Sequence, residues 1–161
     1  MRRSPWKRFD SGSPTYEVSV SDLELTRVEV SASFAASSDA LWSVVGDFGA
    51  LHRWHPWVPA CVLSADGQTR VLRAGEEVVA VERLLEQTER SHTYTVDQGP
   101  FPMTAYRATL CVTEMAEGCR LHYRGECVAD GAPERVAAQL RRFFEVGFSA
   151  LAVQFDGGDA P

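Results

Sequence analysis

The stretch PERVAAQLRRFFEVGFSALAVQF, residues 133–155, sets the strongest condition on how this chain folds. Apolar residues recur in it with the 3.6-residue period of an α-helix. They form one stripe, made of Val136, Leu140, Phe143, Phe144, Gly147, Leu151 and Phe155. Pro133 suits the first turn of a helix. A helix of this length buries such a stripe only against a large surface, which the preceding residues must supply.

Strand-like runs before Pro133 can form that surface. Turn dipeptides and short Gly/Pro connections separate six of them, as in an antiparallel meander. They are residues 58–65, 69–73, 77–87, 91–96, 105–114 and 119–128. Further upstream, residues 28–34 alternate with the period of a strand. Ser37-Ser38-Asp39 then offers N-cap chemistry for a short helix that ends at Gly46, and a second helical turn follows over residues 49–54.

This order of elements predicts an α+β fold. The economical packing is a curved antiparallel sheet of about seven strands wrapped around the long C-terminal helix, with two short helices after the first strand. At 161 residues and 17.8 kDa the chain has room for one domain. We expect residues 1–24 to be a loose N-terminal extension and residues 25–156 to be the ligand-binding domain.

Composition narrows the class of protein. The 45% hydrophobic and 24% charged residues are typical of a soluble globular chain, which excludes a disordered, collagen-like or disulfide-scaffold protein. No apolar run approaches the roughly 18 residues of a membrane span. Four basic residues lie within the first eight positions, but no apolar signal-peptide region follows them, so we expect a cytoplasmic protein.

The charge distribution argues against a nucleic-acid partner. The net charge is −6, and without the first eight positions the chain has twelve basic and twenty-two acidic residues, a net charge of −10. Such a surface repels phosphates.

The four cysteines show neither a CxxC pair nor zinc-ligand spacing. His52 and His55 have no third ligand nearby in the sequence, so we predict no metal and no cofactor.

Several segments together resemble a known superfamily. Residues 42–57, WSVVGDFGALHRWHPW, are similar to the helix–helix opening of the START and polyketide cyclase/dehydratase proteins, known as SRPBCC or helix-grip proteins. Residues 82–84, ERL, resemble the fourth-strand signature of that superfamily, residues 91–96, SHTYTV, its fifth strand, and residues 106–109, YRAT, the strand after it. The resemblance covers residues 26–155 and implies the helix-grip fold.

Within the superfamily the chain is nearest in appearance to the branch of lachrymatory-factor synthase and the plant abscisic-acid receptors. It departs from the receptors at Ala74-Gly75-Glu76, where they carry a longer Ser-Gly-Leu-Pro gate, and at Ala105, where members often have Asn. These departures argue against a hormone receptor. The resemblance implies that Arg70 and Glu82 match acid–base groups of the synthase, and that Glu82 points into a cavity.

Strand alternation leaves the orientation of Glu82 open. It shares a face with Val78, Ala80 and Leu84, and the opposite face carries Val79, Val81 and Leu85. The pair of Arg70 with Glu82 either contacts a ligand in a dry cavity, catalyses with it, or only joins adjacent strands.

The remaining candidate ligand-binding residues are aromatic or line the expected cavity. His55 or Trp57 is placed at the cavity mouth by the resemblance, and Phe101 lies in the loop that gates entry in related proteins. Tyr hydroxyls can anchor a ligand, and Gly147 either opens space at a cavity wall or permits close packing. The set is His55, Trp57, Leu72, Tyr94, Phe101, Tyr106, Tyr123, Phe144, Gly147 and Leu151.

Three functions fit these residues and the resemblance. The first is a protein, monomeric or homodimeric, that binds a small hydrophobic or aromatic molecule in an internal cavity. The second is a cyclase, dehydratase or isomerase that uses Glu82 and Arg70 in the same cavity. The third is an interaction module without a ligand. Fold alone does not separate them.

Overall fold

The strands and helices follow one another in the predicted order. A computed structural model describes residues 24–156. The elements are β1 Thr26–Phe34, α1 Ser38–Val45, a 3₁₀ helix Phe48–Arg53, β2 Ala60–Leu63, β3 Thr69–Ala74, β4 Glu77–Gln87, β5 Ser91–Gln98, β6 Met103–Glu114, β7 Cys119–Ala129 and α2 Pro133–Phe155. The expected loose extension over residues 1–24 lies outside the described residues, apart from Glu24.

Seven antiparallel strands form one sheet in the order β1-β7-β6-β5-β4-β3-β2. Consecutive strands from β2 to β7 are neighbours, as in a meander, and β1 pairs with the last strand, with Thr26 opposite Cys127 and Phe34 opposite Cys119. The edges of the sheet are therefore β1 and β2. This is the helix-grip architecture that the resemblance implies.

The core lies between the inner face of the sheet and α2. The buried residues of α2 are Val136, Leu140, Phe144, Gly147, Phe148 and Leu151. They face the inward side chains of the strands, such as Leu121 and Tyr123 of β7, which are 0% and 1% exposed. Five of the seven residues of the predicted apolar stripe are therefore buried, whereas Phe143 and Phe155 are half-buried and Phe148 is a buried residue outside the predicted stripe.

Both short helices have a side-chain N-cap, and that of α1 is the one that the sequence predicts. The Ser37 hydroxyl accepts a hydrogen bond from the Ala40 N–H at the start of α1. A carboxylate oxygen of Asp47 accepts one from the Gly49 N–H at the start of the 3₁₀ helix. The second helical turn was predicted over residues 49–54 and is a 3₁₀ helix that starts one residue earlier, because Asp47 is its N-cap.

The strand β6 contains a β-bulge beside the cavity. Its pairing with β7 shifts between Thr104 and Arg107, so two residues of β6, Ala105 and Tyr106, lie opposite one of β7. Ala105 has a φ of +50°, and Tyr106 beside it is turned inward and 4% exposed.

Among the helices of residues 24–156, none has the length and apolar character needed to cross a bilayer.

Candidate functional site

A buried ion pair joins β3 and β4 on the inner face of the sheet. Arg70 lies opposite Glu82 in the strand register, so the two side chains leave the sheet on the same side. Arg70 is 4% exposed and Glu82 is 8% exposed. The Arg70 Nε donates to Glu82 Oε2 over 2.5 Å. Ala80 shares this inner face, whereas Val79 and Leu85 are 36% and 41% exposed, so the alternative with Glu82 outward is wrong.

Aromatic rings and a carbonyl hold the Arg70 guanidinium in place. Its Nη1 donates to the carbonyl oxygen of Phe48 over 3.0 Å. Its Cζ lies 4.2 Å from the ring centre of Phe48 and 5.0 Å from that of Tyr94. Burial alone lowers the pKa of Arg70, but the Glu82 carboxylate and Tyr94 offset that effect and the pKa is raised. Arg70 is therefore a permanent cation that fixes the Glu82 carboxylate.

A cavity of about 310 Å³ opens next to this pair, between the inner face of the sheet and the first half of α2. Most of its wall is apolar, and Glu82 stands in it as a buried carboxylate. Its lining is Trp57, Val58, Pro59, Leu72, Arg73, Ala74, Val79, Ala80, Glu82, Tyr94, Val96, Pro100, Phe101, Met103, Tyr106, Leu140, Phe143 and Phe144.

Exposed residues mark the mouth of the cavity. Trp57 is 53% exposed and lies on one side of it. The loop between β5 and β6 lies on another, with Pro100 exposed and Phe101 half-buried. The ring of Phe101 packs edge-on against Phe143 of α2, with centroids 6.4 Å apart. This loop therefore bridges from the sheet to the helix at the entrance.

Seven of the sequence-predicted site residues meet at this cavity. They are Trp57, Leu72, Glu82, Tyr94, Phe101, Tyr106 and Phe144. Arg70 does not line it. It lies deeper, on a separate small void, and contacts two residues of the cavity wall, Glu82 and Tyr94.

His55 is a packing residue and does not line the cavity, which corrects the first of four predicted contacts. It is 1% exposed and its ring stacks on Phe143 with centroids 3.9 Å apart. Its Nε2 donates to the Phe143 carbonyl oxygen over 2.8 Å, and its Nδ1 accepts from the Trp57 N–H over 3.2 Å. Both ring nitrogens are therefore occupied. Burial lowers the pKa of His55, which favours this neutral ring.

Gly147 permits close packing and is not a cavity wall. A Cβ at this position would lie 2.7 Å from Cδ2 of His55 and 2.8 Å from Cζ3 of Trp54. The two rings thus pack directly on the backbone of α2. Leu151, one helical turn further along, is 0% exposed and belongs to the closed core rather than to the cavity.

Tyr123 lies behind the cavity wall as the end of a row of three hydroxyls. Its hydroxyl is 2.8 Å from that of Tyr106, which is 3.5 Å from that of Tyr94. The Tyr123 ring stacks on Phe144 with centroids 3.5 Å apart, so Phe144 separates it from the cavity. Burial raises the pKa of all three phenols. The hydroxyls therefore stay protonated, and Tyr94 and Tyr106 can donate to a ligand.

Several lining residues were not predicted as site residues. Leu140 and Phe143 belong to the apolar stripe of α2, and Val96 shares the inward face of β5 with Tyr94, so their spacing carried a usable signal. No sequence signal indicated Arg73 as a lining residue, because it reaches the cavity through a shift in the pairing of β3 with β4 after Leu72. Within residues 24–156 no group of three His, Cys, Asp or Glu side chains is arranged to hold a metal ion.

Solved structures share this fold over most of the chain. Protein XoxI from Bacillus cereus is 24% identical with a TM-score of 0.77, and the alignment covers 84% of this chain and 99% of XoxI. A protein from Thermobifida fusca is 34% identical with a TM-score of 0.70, covering 80% of this chain and 92% of its own.

An aromatase/cyclase also has this fold. The Zhui aromatase/cyclase from Streptomyces sp. R1128 is 16% identical with a TM-score of 0.59, and the alignment covers 85% of this chain and 100% of Zhui.

No curated protein sequence matches the chain. The family described as polyketide cyclase / dehydrase and lipid transport matches residues 26–155, from the first strand to the end of the long helix. With its helix-grip fold and this match, the chain belongs to the polyketide cyclase / dehydrase and lipid transport family.

Proposed function

We propose that this protein binds a small hydrophobic or aromatic molecule in its internal cavity. The observation that carries the proposal is the wall of that cavity. Apolar side chains surround about 310 Å³, and Glu82 is a buried carboxylate among them. Small-molecule sites commonly combine an apolar wall with a few placed polar groups. Membership of the family supports a ligand-binding or cyclase-like role.

The polar groups of the wall give the ligand an orientation. Glu82, Tyr94 and Tyr106 are buried on neighbouring strands, so the polar end of the ligand lies against the sheet. Leu140 and Phe144 face them from α2 and offer contact to the apolar body. The hydroxyls of Tyr94 and Tyr106 suit an acceptor such as a carbonyl oxygen, and Glu82 suits a donor such as a hydroxyl.

Filling the cavity tests the binding site. Ala80 is 3% exposed and lines the cavity, so Ala80→Leu places a larger side chain in the space that the ligand would occupy. The affinity for prodan, a fluorescent naphthyl ketone, should fall by about tenfold or more, which corresponds to about 1.4 kcal/mol. Ala138→Leu, at an exposed position of α2, is the matched control and should leave the affinity unchanged. Equal affinity in both variants would place prodan elsewhere.

The ion pair supports a second candidate function, an enzyme of the cyclase, dehydratase or isomerase type. Glu82 reaches the cavity and can take a proton from a bound substrate or return one. Arg70 is a positioning residue in this scheme, because it holds Glu82 and does not itself line the cavity.

Glu82→Gln separates the two candidates. It keeps the shape and removes the proton carrier, so an enzyme should lose about 10²–10⁴ in turnover while its ligand affinity stays within a few-fold. Glu86→Gln, at an exposed position of the same strand, is the matched control. Conversion of cyclisable or dehydratable aromatic candidates is followed by mass spectrometry. Candidates recovered unaltered from the wild-type protein favour a binding protein without catalysis.

A retained ligand would also exclude the third function, an interaction module. Native mass spectrometry of freshly purified protein is the direct test, and added mass that is lost on denaturation would show a ligand. A cytoplasmic location, a monomeric or homodimeric state and the lack of a nucleic-acid partner stay predictions from the sequence.

A further inference from the structure

A row of three phenol hydroxyls runs from behind the cavity wall to the cavity itself. The Tyr123 oxygen is 2.8 Å from that of Tyr106, and the Tyr106 oxygen is 3.5 Å from that of Tyr94. Tyr94 and Tyr106 line the cavity, whereas Tyr123 is 1% exposed and does not line it. Tyr106 is therefore the link between a buried phenol and the space for a ligand.

Two contacts hold the Tyr123 hydroxyl at the inner end of this row. Its ring lies flat on that of Phe144, with an angle of 12° between the ring planes. Its hydroxyl lies over Gly125 of the same strand, where a Cβ would collide with the phenol oxygen. The missing side chain of this glycine leaves the room that the hydroxyl needs. Tyr123 therefore has little freedom to turn away from Tyr106.

The number of protons sets the direction of the row. Each hydroxyl has one proton to donate, and burial raises the pKa of all three phenols, so none is ionised near neutral pH. Among residues 24–156, the Tyr123 hydroxyl has one hydrogen-bond partner, the Tyr106 hydroxyl. If Tyr106 donated to it, the Tyr123 proton would be buried without an acceptor, at a cost of about 1–3 kcal/mol. Tyr123 is therefore the donor and Tyr106 the acceptor.

The proton of Tyr106 then points along the row, away from Tyr123. Its acceptor in the absence of a ligand, the Tyr94 oxygen, is 3.5 Å away, which is longer than the about 2.5–3.0 Å of an ordinary O–H···O hydrogen bond. Exchanging this long contact for a better acceptor costs little. Because the Tyr106 oxygen already accepts from Tyr123, Tyr106 meets a ligand chiefly as a donor.

We propose that Tyr123 is a positioning residue that makes Tyr106 a hydrogen-bond donor to the ligand and so favours a carbonyl compound over the matching alcohol. This inference rests on the proposed function and adds to it a residue that lies outside the cavity. A ketone or aldehyde oxygen can only accept, and it therefore suits the Tyr106 proton.

A matched pair of ligands and Tyr123→Phe test the inference in the full-length protein. Acetylnaphthalene is a ketone, and naphthylethanol is the alcohol formed by reducing it. In Tyr123→Phe the Tyr106 oxygen is free to accept from the alcohol, and its proton is less polarised. The ratio of ketone affinity to alcohol affinity, measured by calorimetry, should therefore fall by about threefold or more. Glu82 can also accept from an alcohol, so the readout is the change in this ratio and not its value in the wild-type protein.

The infrared carbonyl stretch of bound acetylnaphthalene is a second readout, which a merely structural role of Tyr123 would not move. A hydrogen bond to a carbonyl oxygen lowers the frequency of this stretch. We expect Tyr123→Phe to move the frequency part of the way back toward its value in hexane. Thr109→Val is the matched control, because it removes a hydroxyl pair of the same 2.8 Å length, with Thr93, that does not line the cavity. It should leave the ratio and the frequency unchanged.

An unchanged ratio and frequency in Tyr123→Phe would overturn the inference and leave ligand binding in place. A rise in the ratio would also overturn it, because it would show that Tyr106 donates to Tyr123 in the wild-type protein. Failure of both compounds to bind to the wild-type protein would instead count against the cavity as a ligand site, and the inference would fall with the proposed function.

Discussion

Ala105 stores backbone strain next to the cavity. Its φ of +50° lies in the left-handed region, which costs an ordinary residue about 1–2 kcal/mol. The β-bulge of β6 imposes this conformation, and the same bulge turns Tyr106 inward to the hydroxyl row. The strain is thus the local cost of placing a tyrosine at the cavity.

Ala105→Gly should therefore stabilise the protein. Glycine adopts a positive φ without steric cost, and part of that gain is offset by the freedom glycine has in the unfolded chain. We expect the free energy of unfolding to rise by about 0.5–1 kcal/mol in urea titrations. Ala138→Gly, at an exposed position in the second turn of α2, is the control and should lower it by about 1 kcal/mol. A loss of equal size in both variants would contradict strain at Ala105.

Single residues show where sequence reasoning stops. Strand alternation alone did not determine whether Glu82 faces the core or the solvent, nor whether it pairs with Arg70. The resemblance to the superfamily favoured the inward orientation that the structure has. Ala105 was noted only as a departure from the usual Asn. Its strain depends on a shift in pairing between β6 and β7, and such a shift is set by contacts distant in the chain. The small void next to Arg70 likewise depends on how several elements pack together, which no local sequence pattern indicates.

The helix α2 has two different halves along its buried face. Leu140, Phe143 and Phe144 line the cavity in the first half, whereas Phe148 and Leu151 close the core in the second. The 3.6-residue period predicted the whole face but not this division, because periodicity shows which side is buried and not what lies opposite. The division follows from Trp54 and His55, which pack on the helix backbone at Gly147, between the two halves.

Gly147→Ala tests that contact. Alanine favours a helix by about 1 kcal/mol over glycine, but its Cβ would meet two buried rings at 2.7 and 2.8 Å. The rings of His55 and Trp54 are 1% and 5% exposed and have little room to move. We expect a net loss of about 1–3 kcal/mol in the free energy of unfolding, measured by urea titration. A stabilised variant would mean that the rings are free to shift.

Leu151→Ala tests the closed half of the helix. Leu151 is 0% exposed, so its truncation should lower the free energy of unfolding by about 2–5 kcal/mol. Val153→Ala is the control on the same turn of α2, since Val153 is 66% exposed, and it should change stability by less than about 0.5 kcal/mol. Calorimetry or urea titration measures both. A small loss at Leu151 would show that the core is loosely packed there.

The whole molecule should lose stability in mild acid because of its buried histidines. The pKa of His92 is lowered to about 3 in the folded protein, by burial first and then by Arg70, and burial lowers the pKa of His55 as well. In the unfolded chain the imidazoles titrate near about 6.5. Below that pH the unfolded state binds protons that the folded state does not, so stability falls as the pH drops.

Urea midpoints measured from pH 7 to pH 5 check this dependence. His92 alone should contribute a slope of up to about 1.4 kcal/mol per pH unit between about pH 6.5 and 3. His92→Phe should flatten the profile, whereas His52→Gln, which changes an exposed histidine, should leave it unaltered. A profile that stays equally steep in His92→Phe would assign the acid sensitivity to other groups.

The pairing of β1 with β7 has a consequence for synthesis on the ribosome. The first strand finds its partner only after about ninety further residues have been made, since Phe34 pairs with Cys119 and Thr26 with Cys127. At about 5–20 residues per second this is a wait of several seconds. During that time the inward residues Val28 and Phe34 have neither β7 nor α2 to cover them. The nascent chain is therefore most exposed to aggregation at its first strand, and translation speed and chaperone access should affect yield before thermodynamic stability does.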